Sequence, residues 1–211
     1  MLPSINVANL AEAVKEAKFE PSSTGGDSIF CKFDYQTGDY LLGRELIDIK
    51  GEEVVVHTDS IAVGWICWSG GKATKNLVSF TEGLPPQPAP IGNDNYSEAR
   101  AIMFKTTEGE QAILEGNSYG IRSGIDALIK AIKNRALDPA NANYLYPRVT
   151  LSSNSYKHSQ GNTIYNTQFD VVGWCNANGE LQGDTAIADS SGKSDADEEA
   201  VAKPVRRRGR G

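Results

Sequence analysis

The side chains in this sequence best placed to do chemistry are aromatic and cationic. Trp65, Trp68, Tyr119, Tyr144, Tyr146, Tyr156, Tyr165 and Trp174 fall on or beside strand-like runs, with Lys72, Lys75, Arg122, Lys130, Lys133, Arg148 and Lys157 among them. That pairing suits single-stranded nucleic acid: bases stack on exposed rings for about 1–3 kcal/mol each, and phosphates need cations along their path. Alternation from Ile61 to Trp68 puts Trp65 and Trp68 on opposite faces of a strand. Trp68, next to Ser69-Gly70-Gly71-Lys72, is the expected exposed ring. Trp65 and Trp174 each follow a Val-Gly pair and are expected to be buried. The expected nucleic-acid-binding residues are Trp68, Lys72, Lys75, Arg148, Tyr156 and Lys157, with Arg122, Lys130 and Lys133 as a flanking path.

Catalytic patterns are missing. There is no GxSxG, no Walker phosphate loop, no HExxH and no GxGxxG. His57 ends a strand run with Asp59 two residues on, and His158 lies in a Ser/Asn-rich stretch that reads as a turn. Neither has an evident nucleophile, so no enzyme is expected. Cys31, Cys67 and Cys175 form no CxxC spacing and read as small buried residues in a reducing, cytoplasmic setting. Glu108, Glu110 and Glu115 read as a solvated acidic loop. No metal or cofactor is expected.

The elements that must position these residues are mostly strands. Of 211 residues, 39% are hydrophobic and 23% charged, with a net charge of -6. No apolar run approaches the ~20 residues that cross a bilayer as a helix, and Met1 to Glu20 lacks the pattern of a signal peptide. Residues 1–180 hold 15 Lys+Arg against 21 Asp+Glu, whereas 181–211 hold six of each, split into an acidic block from Asp195 to Glu199 and a basic tip from Lys203 to Arg210. Those last residues lack aromatics and are expected to form a disordered tail. Val7, Leu10, Ala11, Val14 and Ala17 predict a short N-terminal helix. Strands are predicted over Ser28–Asp34, Tyr40–Ile49, Val54–Val56, Ile61–Trp68, Pro147–Ser152 and Thr163–Trp174. Ile121, Ile125, Leu128, Ile129 and Ile132 share one face of a central helix, with Ser123 and Asp126 as its capping box. Arg122, Lys130 and Lys133 lie within about 80° of one another beside that stripe. Pro85, Pro86, Pro88 and Pro90 make Gly83–Pro90 extended.

The expected fold is β-rich α+β: an OB-like, partly open β-barrel over 25–180 with an inserted helix and long loops, preceded by a helix and linker over 1–24 and followed by the tail over 181–211. The order of Val63-Gly64-Trp65-Ile66-Cys67-Trp68-Ser69-Gly70-Gly71-Lys72, the proline-rich segment, Ser118-Tyr119-Gly120, the run Pro147–His158 and Phe169-Asp170-Val171-Val172-Gly173-Trp174 resembles a group of tailed-phage and prophage proteins over residues 54–180. These look like replication or recombination accessories and are similar in outline to phage single-stranded-DNA-binding proteins of the OB type. The resemblance implies a protein that binds single-stranded DNA during phage replication or recombination in the cytoplasm of a bacterial host. Phage or host replication proteins are expected partners for the tail, and self-association is compatible with this reading. The acidic body, which disfavours a polyanion unless cations gather on one side, points instead to a phage factor that binds and modulates a host enzyme.

Overall fold

The computed structural model describes residues 29–159 and 161–182. The helix expected near the N-terminus and nearly all of the expected tail lie outside the described residues. Among them are ten strands and one α-helix. In chain order these are β1 (Ile29–Phe33), β2 (Tyr40–Leu42), β3 (Ile47–Asp48), β4 (Glu53–Val56), β5 (Ala62–Ser69), β6 (Lys72–Ser79), β7 (Ser97–Thr106), β8 (Gln111–Gly116), α1 (Tyr119–Ala136), β9 (Tyr146–Lys157) and β10 (Thr163–Cys175). The protein is mostly β, and its sheet is a strongly curled, open half-barrel.

The strands run β10-β9-β4-β7-β8-β1-β2-β3, with β5 and β6 branching from β7. One edge of β7 is shared: its C-terminal end pairs with β4 and its N-terminal half with β5. β4 and β5 are joined by a turn of 3-10 helix, Thr58–Ser60. β5 and β6 are joined by Gly70 and Gly71 alone, both at positive φ (58° and 78°), the backbone that a two-residue hairpin turn requires. All pairings are antiparallel except β1 with β8.

Curling brings the two ends of the sheet together. Tyr40 on β2 is fully buried, and its Oη donates to Ser152 O on β9 (2.8 Å) and accepts from Gln168 N on β10 (3.1 Å). Tyr165 N donates to Tyr35 O in the β1–β2 turn (2.9 Å). Inside this ring Phe33 and Phe169 pack edge-on against Tyr40, among Leu42, Val54, Val56, Ile102, Phe104, Leu114, Val149 and Leu151.

α1 packs on β10, β7 and β8. Its apolar stripe is the expected one: Ile121, Ile125, Leu128, Ile129 and Ile132 are all buried in the core. Its start is not. The helix begins at Tyr119, capped by Ser118 Oγ accepting from Ile121 N (3.3 Å). Ser123 instead donates to Gly120 O, and Asp126 pairs with Arg100, so the expected capping box does not exist. Gly120 and Gly124 let the helix close on the edge of β10. A Cβ at 124 would lie 2.5 Å from Thr167 O, and Thr167 Oγ donates to Gly120 O at 3.0 Å.

Other expectations also change. β6, β7 and β8 occupy a stretch where no strand is predicted, and Glu115 lies on β8 rather than in a loop. β9 runs on to Lys157, so the Ser/Asn-rich stretch is a solvated hairpin arm. Leu181 and Gln182 belong to the fold, because Leu181 forms a β-bridge with Cys175.

Candidate nucleic-acid interface

The β5–β6 hairpin carries Trp68 at its free end. Its ring is 63% exposed, its cross-strand neighbour Ala73 is too small to cover it, and Lys72 sits opposite Ser69 at the turn. Trp65, on the other face, is half-buried, with Nε1 donating to Pro85 O at 2.8 Å. Trp174 is half-buried under the Arg135 guanidinium, 4.6 Å from the ring centre. Alternation thus assigned Trp65 and Trp68 to opposite faces as found, whereas Trp65 and Trp174, expected to be buried, are half-buried.

The second aromatic-cation pair, Tyr156 and Lys157, ends β9 on the β9–β10 hairpin, and both are exposed. The two tips lie on separate branches of the sheet, and no hydrogen bond or ring contact joins Trp68 to Tyr156. α1 presents Tyr119, 67% exposed, at its first turn.

The expected cations divide into two groups. Lys75 pairs with Glu115 at 2.7 Å, Arg122 with Glu98 at 2.9 Å, and Arg148 with Glu53 at 3.2 Å. Such pairs leave little charge for phosphate. Arg100, almost buried, ties β7 to α1 through Glu98 (2.6 Å) and Asp126 (2.7 Å), so this charge cluster positions the helix. Lys72, Lys130, Lys133 and Lys157 are exposed and form no ion pair among the described residues. Lys133 Nζ lies 6.0 Å from the Phe80 ring centre.

The histidines and cysteines do not join these tips. His57 precedes the 3-10 turn without a side-chain capping bond and meets Tyr146 edge-on at 6.4 Å, and burial lowers its pKa. All three cysteines are buried, and burial pushes the Cys31 thiol up to about 12.

A groove of about 460 Å³ runs between α1 and β10. Tyr119, Ala127, Ala131, Asn154, Asn166, Gln168, Phe169 and Val171 are among its lining residues, and none of the lining residues is charged. Its amides form a chain: Asn166 Nδ2 donates to Asn154 Oδ1 (3.1 Å), Asn154 Nδ2 to Gln168 Oε1 (3.0 Å), and Gln168 Nε2 to Asp170 Oδ1 (2.6 Å). A neutral groove of this kind does not suit a phosphate backbone. A scan of protein-family models and searches of curated proteins and of solved structures find no match to this chain.

Proposed function

We propose that this protein is a non-enzymatic binder of single-stranded DNA, acting in phage replication or recombination, and that its half-barrel is an OB-like variant. The exposure of Trp68 carries the reading: a large ring left uncovered beside a lysine at a glycine turn is a stacking platform with a phosphate contact. Tyr156 with Lys157 is the second platform and Tyr119 a third. Lys72, Lys130, Lys133 and Lys157 supply the charge, while Lys75, Arg122 and Arg148 serve the fold.

The test is fluorescence anisotropy of a labelled ~30-nucleotide single strand at two salt concentrations, with a duplex as control. Binding to the single strand weakens as salt rises, and Trp68→Ala reduces affinity by about five- to 150-fold, the equivalent of 1–3 kcal/mol, without changing the melting temperature. Unchanged affinity in the folded variant removes Trp68 from the site.

One observation favours a second reading. Carboxylates outnumber cations in residues 1–180, and three of the expected phosphate ligands are already engaged by glutamates. A protein with such a surface fits a basic protein partner, such as a host enzyme it modulates. Absence of binding to single strand and duplex alike shifts the assignment there.

A further inference from the structure

One face of the β9–β10 arm carries carboxamides where a phosphate site would carry cations. Residues opposite one another across an antiparallel pair share a face. Asn154 with Asn166 and Ser152 with Gln168 therefore stand on one side of the arm, with Tyr156 opposite Ile164 one row nearer the tip. Asp170 fixes how the amides point. A carboxylate only accepts, so Gln168 turns Nε2 toward Asp170 Oδ1 (2.6 Å) and Oε1 toward Asn154. Asn154 in turn donates to Gln168 through Nδ2 (3.0 Å) and accepts from Asn166 Nδ2 at Oδ1 (3.1 Å). Asn154 and Gln168 each spend one N–H and one oxygen lone pair on this chain. Each keeps one N–H and one lone pair, side by side, for a ligand.

These amides line the groove beside α1, together with Tyr119, Ala127 and Ala131. A volume of about 460 Å³ with no charged lining residue suits a neutral, partly apolar group. Tyr119 stands close to Asn166, because Gly120 packs directly on that residue. Tyr156 lies about 7 Å along the strand from Asn154, on the same face. Two exposed rings thus border the amides. The cations lie outside the groove. Lys157 follows Tyr156 at the end of β9. Lys130 is eleven residues after Tyr119, which puts it ~20° round the helix and roughly 16 Å further along the same rim.

We propose that this groove is a base-reading subsite of the single-strand interface, where the free amide groups of Asn154 and Gln168 hold adenine while phosphates pass Lys157 and Lys130 on the rims. Aromatic platforms take any base, because every base has a π-face. Hydrogen bonds to a base edge do discriminate. An N–H beside a carboxamide oxygen matches adenine, whose edge sets the N6 donor next to the N7 acceptor. Ala127 and Ala131 leave room for the flat ring against α1. The subsite presupposes that the chain binds single strands, as proposed above.

Fluorescence anisotropy with labelled strands of ~15 deoxyadenosines or ~15 thymidines tests it on the full chain. The parent is expected to bind the adenine strand about five- to 150-fold more tightly. Asn154→Ala removes an amide and Ala127→Leu fills the groove, both at exposed positions that the fold tolerates. Each brings the adenine strand down to the affinity of the thymine strand and leaves the thymine strand as it was. Trp68→Ala weakens both strands equally, because its platform is on another branch of the sheet. Equal affinity of the parent for the two strands, with Trp68→Ala still weakening both, overturns the subsite and leaves the single-strand reading intact. An adenine preference that survives both groove variants overturns it as well. No binding of either strand overturns the subsite and the single-strand reading together.

Discussion

Replacing Tyr40 by phenylalanine tests how the half-barrel is held closed. The hydroxyl bridges Ser152 O and Gln168 N in a fully buried site. Deleting it leaves a carbonyl and an N–H without their partner where water does not reach, and each such orphan costs about 1–3 kcal/mol. The ring itself stays, with its edge contacts to Phe33 (5.0 Å between centres) and Phe169 (6.4 Å), so little packing is lost. Removing a buried hydroxyl returns part of the cost, giving a net loss of roughly 2–4 kcal/mol. Urea unfolding followed by circular dichroism reads it as a lower midpoint at unchanged slope. Amide exchange near Ser152 and Gln168 rises in the variant before the rest of the sheet opens. A loss below about 1 kcal/mol refutes the argument, because a hydroxyl of that value does not close the ring.

Two other perturbations address the packing and the pH range. Gly124→Ala gains about 1 kcal/mol of helix propensity but sets a methyl group against Thr167, and overpacking costs about 1–3 kcal/mol. Thermal melts are expected to show a net loss, and a stabilised variant rejects the close approach of helix and strand. Cys31 keeps its proton in the fold up to about 12, against 9.0 for the free thiol, because it is buried and near Asp48. The folded state thus holds a proton that the unfolded chain gives up, so stability is intact below pH 9 and falls as pH rises from 9 to 12. The loss reaches roughly 4 kcal/mol at about 1.4 kcal/mol per pH unit. Cys31→Ala flattens that stretch of the stability curve in urea titrations, and an unaltered alkaline slope in the variant refutes the assignment.

What the sequence disclosed follows from how local each signal is. Two-residue alternation exposes Trp68 and half-buries Trp65, and the five apolar residues of α1 recur at helical spacing because they face one core. Strand β7 stayed hidden because Glu98 and Arg100 interrupt its apolar pattern, yet Arg100 is buried there by its carboxylate partners. β8 and the end of β9 were obscured by Glu115 and by serines and asparagines, which face solvent or one another. The capping box was misplaced by five residues because Ser123-x-x-Asp126 matches a capping pattern, whereas Ser118 caps with its hydroxyl alone. The pairing of lysines and arginines with glutamates depends on which strands become neighbours. Spacing alone therefore selected Lys75, Arg122 and Arg148 as phosphate ligands.

The way the sheet closes also sets the order in which the chain can fold. Ile29 pairs with Ala112, and Tyr40 reaches Ser152 and Gln168, 112 and 128 residues away. Contacts of that span require closure of long loops before any stabilisation is gained, which places such sheets among slow folders, in milliseconds to seconds. The β5–β6 and β9–β10 hairpins need only their own turns and can form early. During synthesis, β1 is the first described strand to emerge, yet it has no lasting neighbour on its β8 side until residue 116 is made, and its ring is not locked until β10 arrives. The nascent chain thus carries Phe30 and an unpaired strand edge through most of its synthesis, the period in which it is most open to association with other chains.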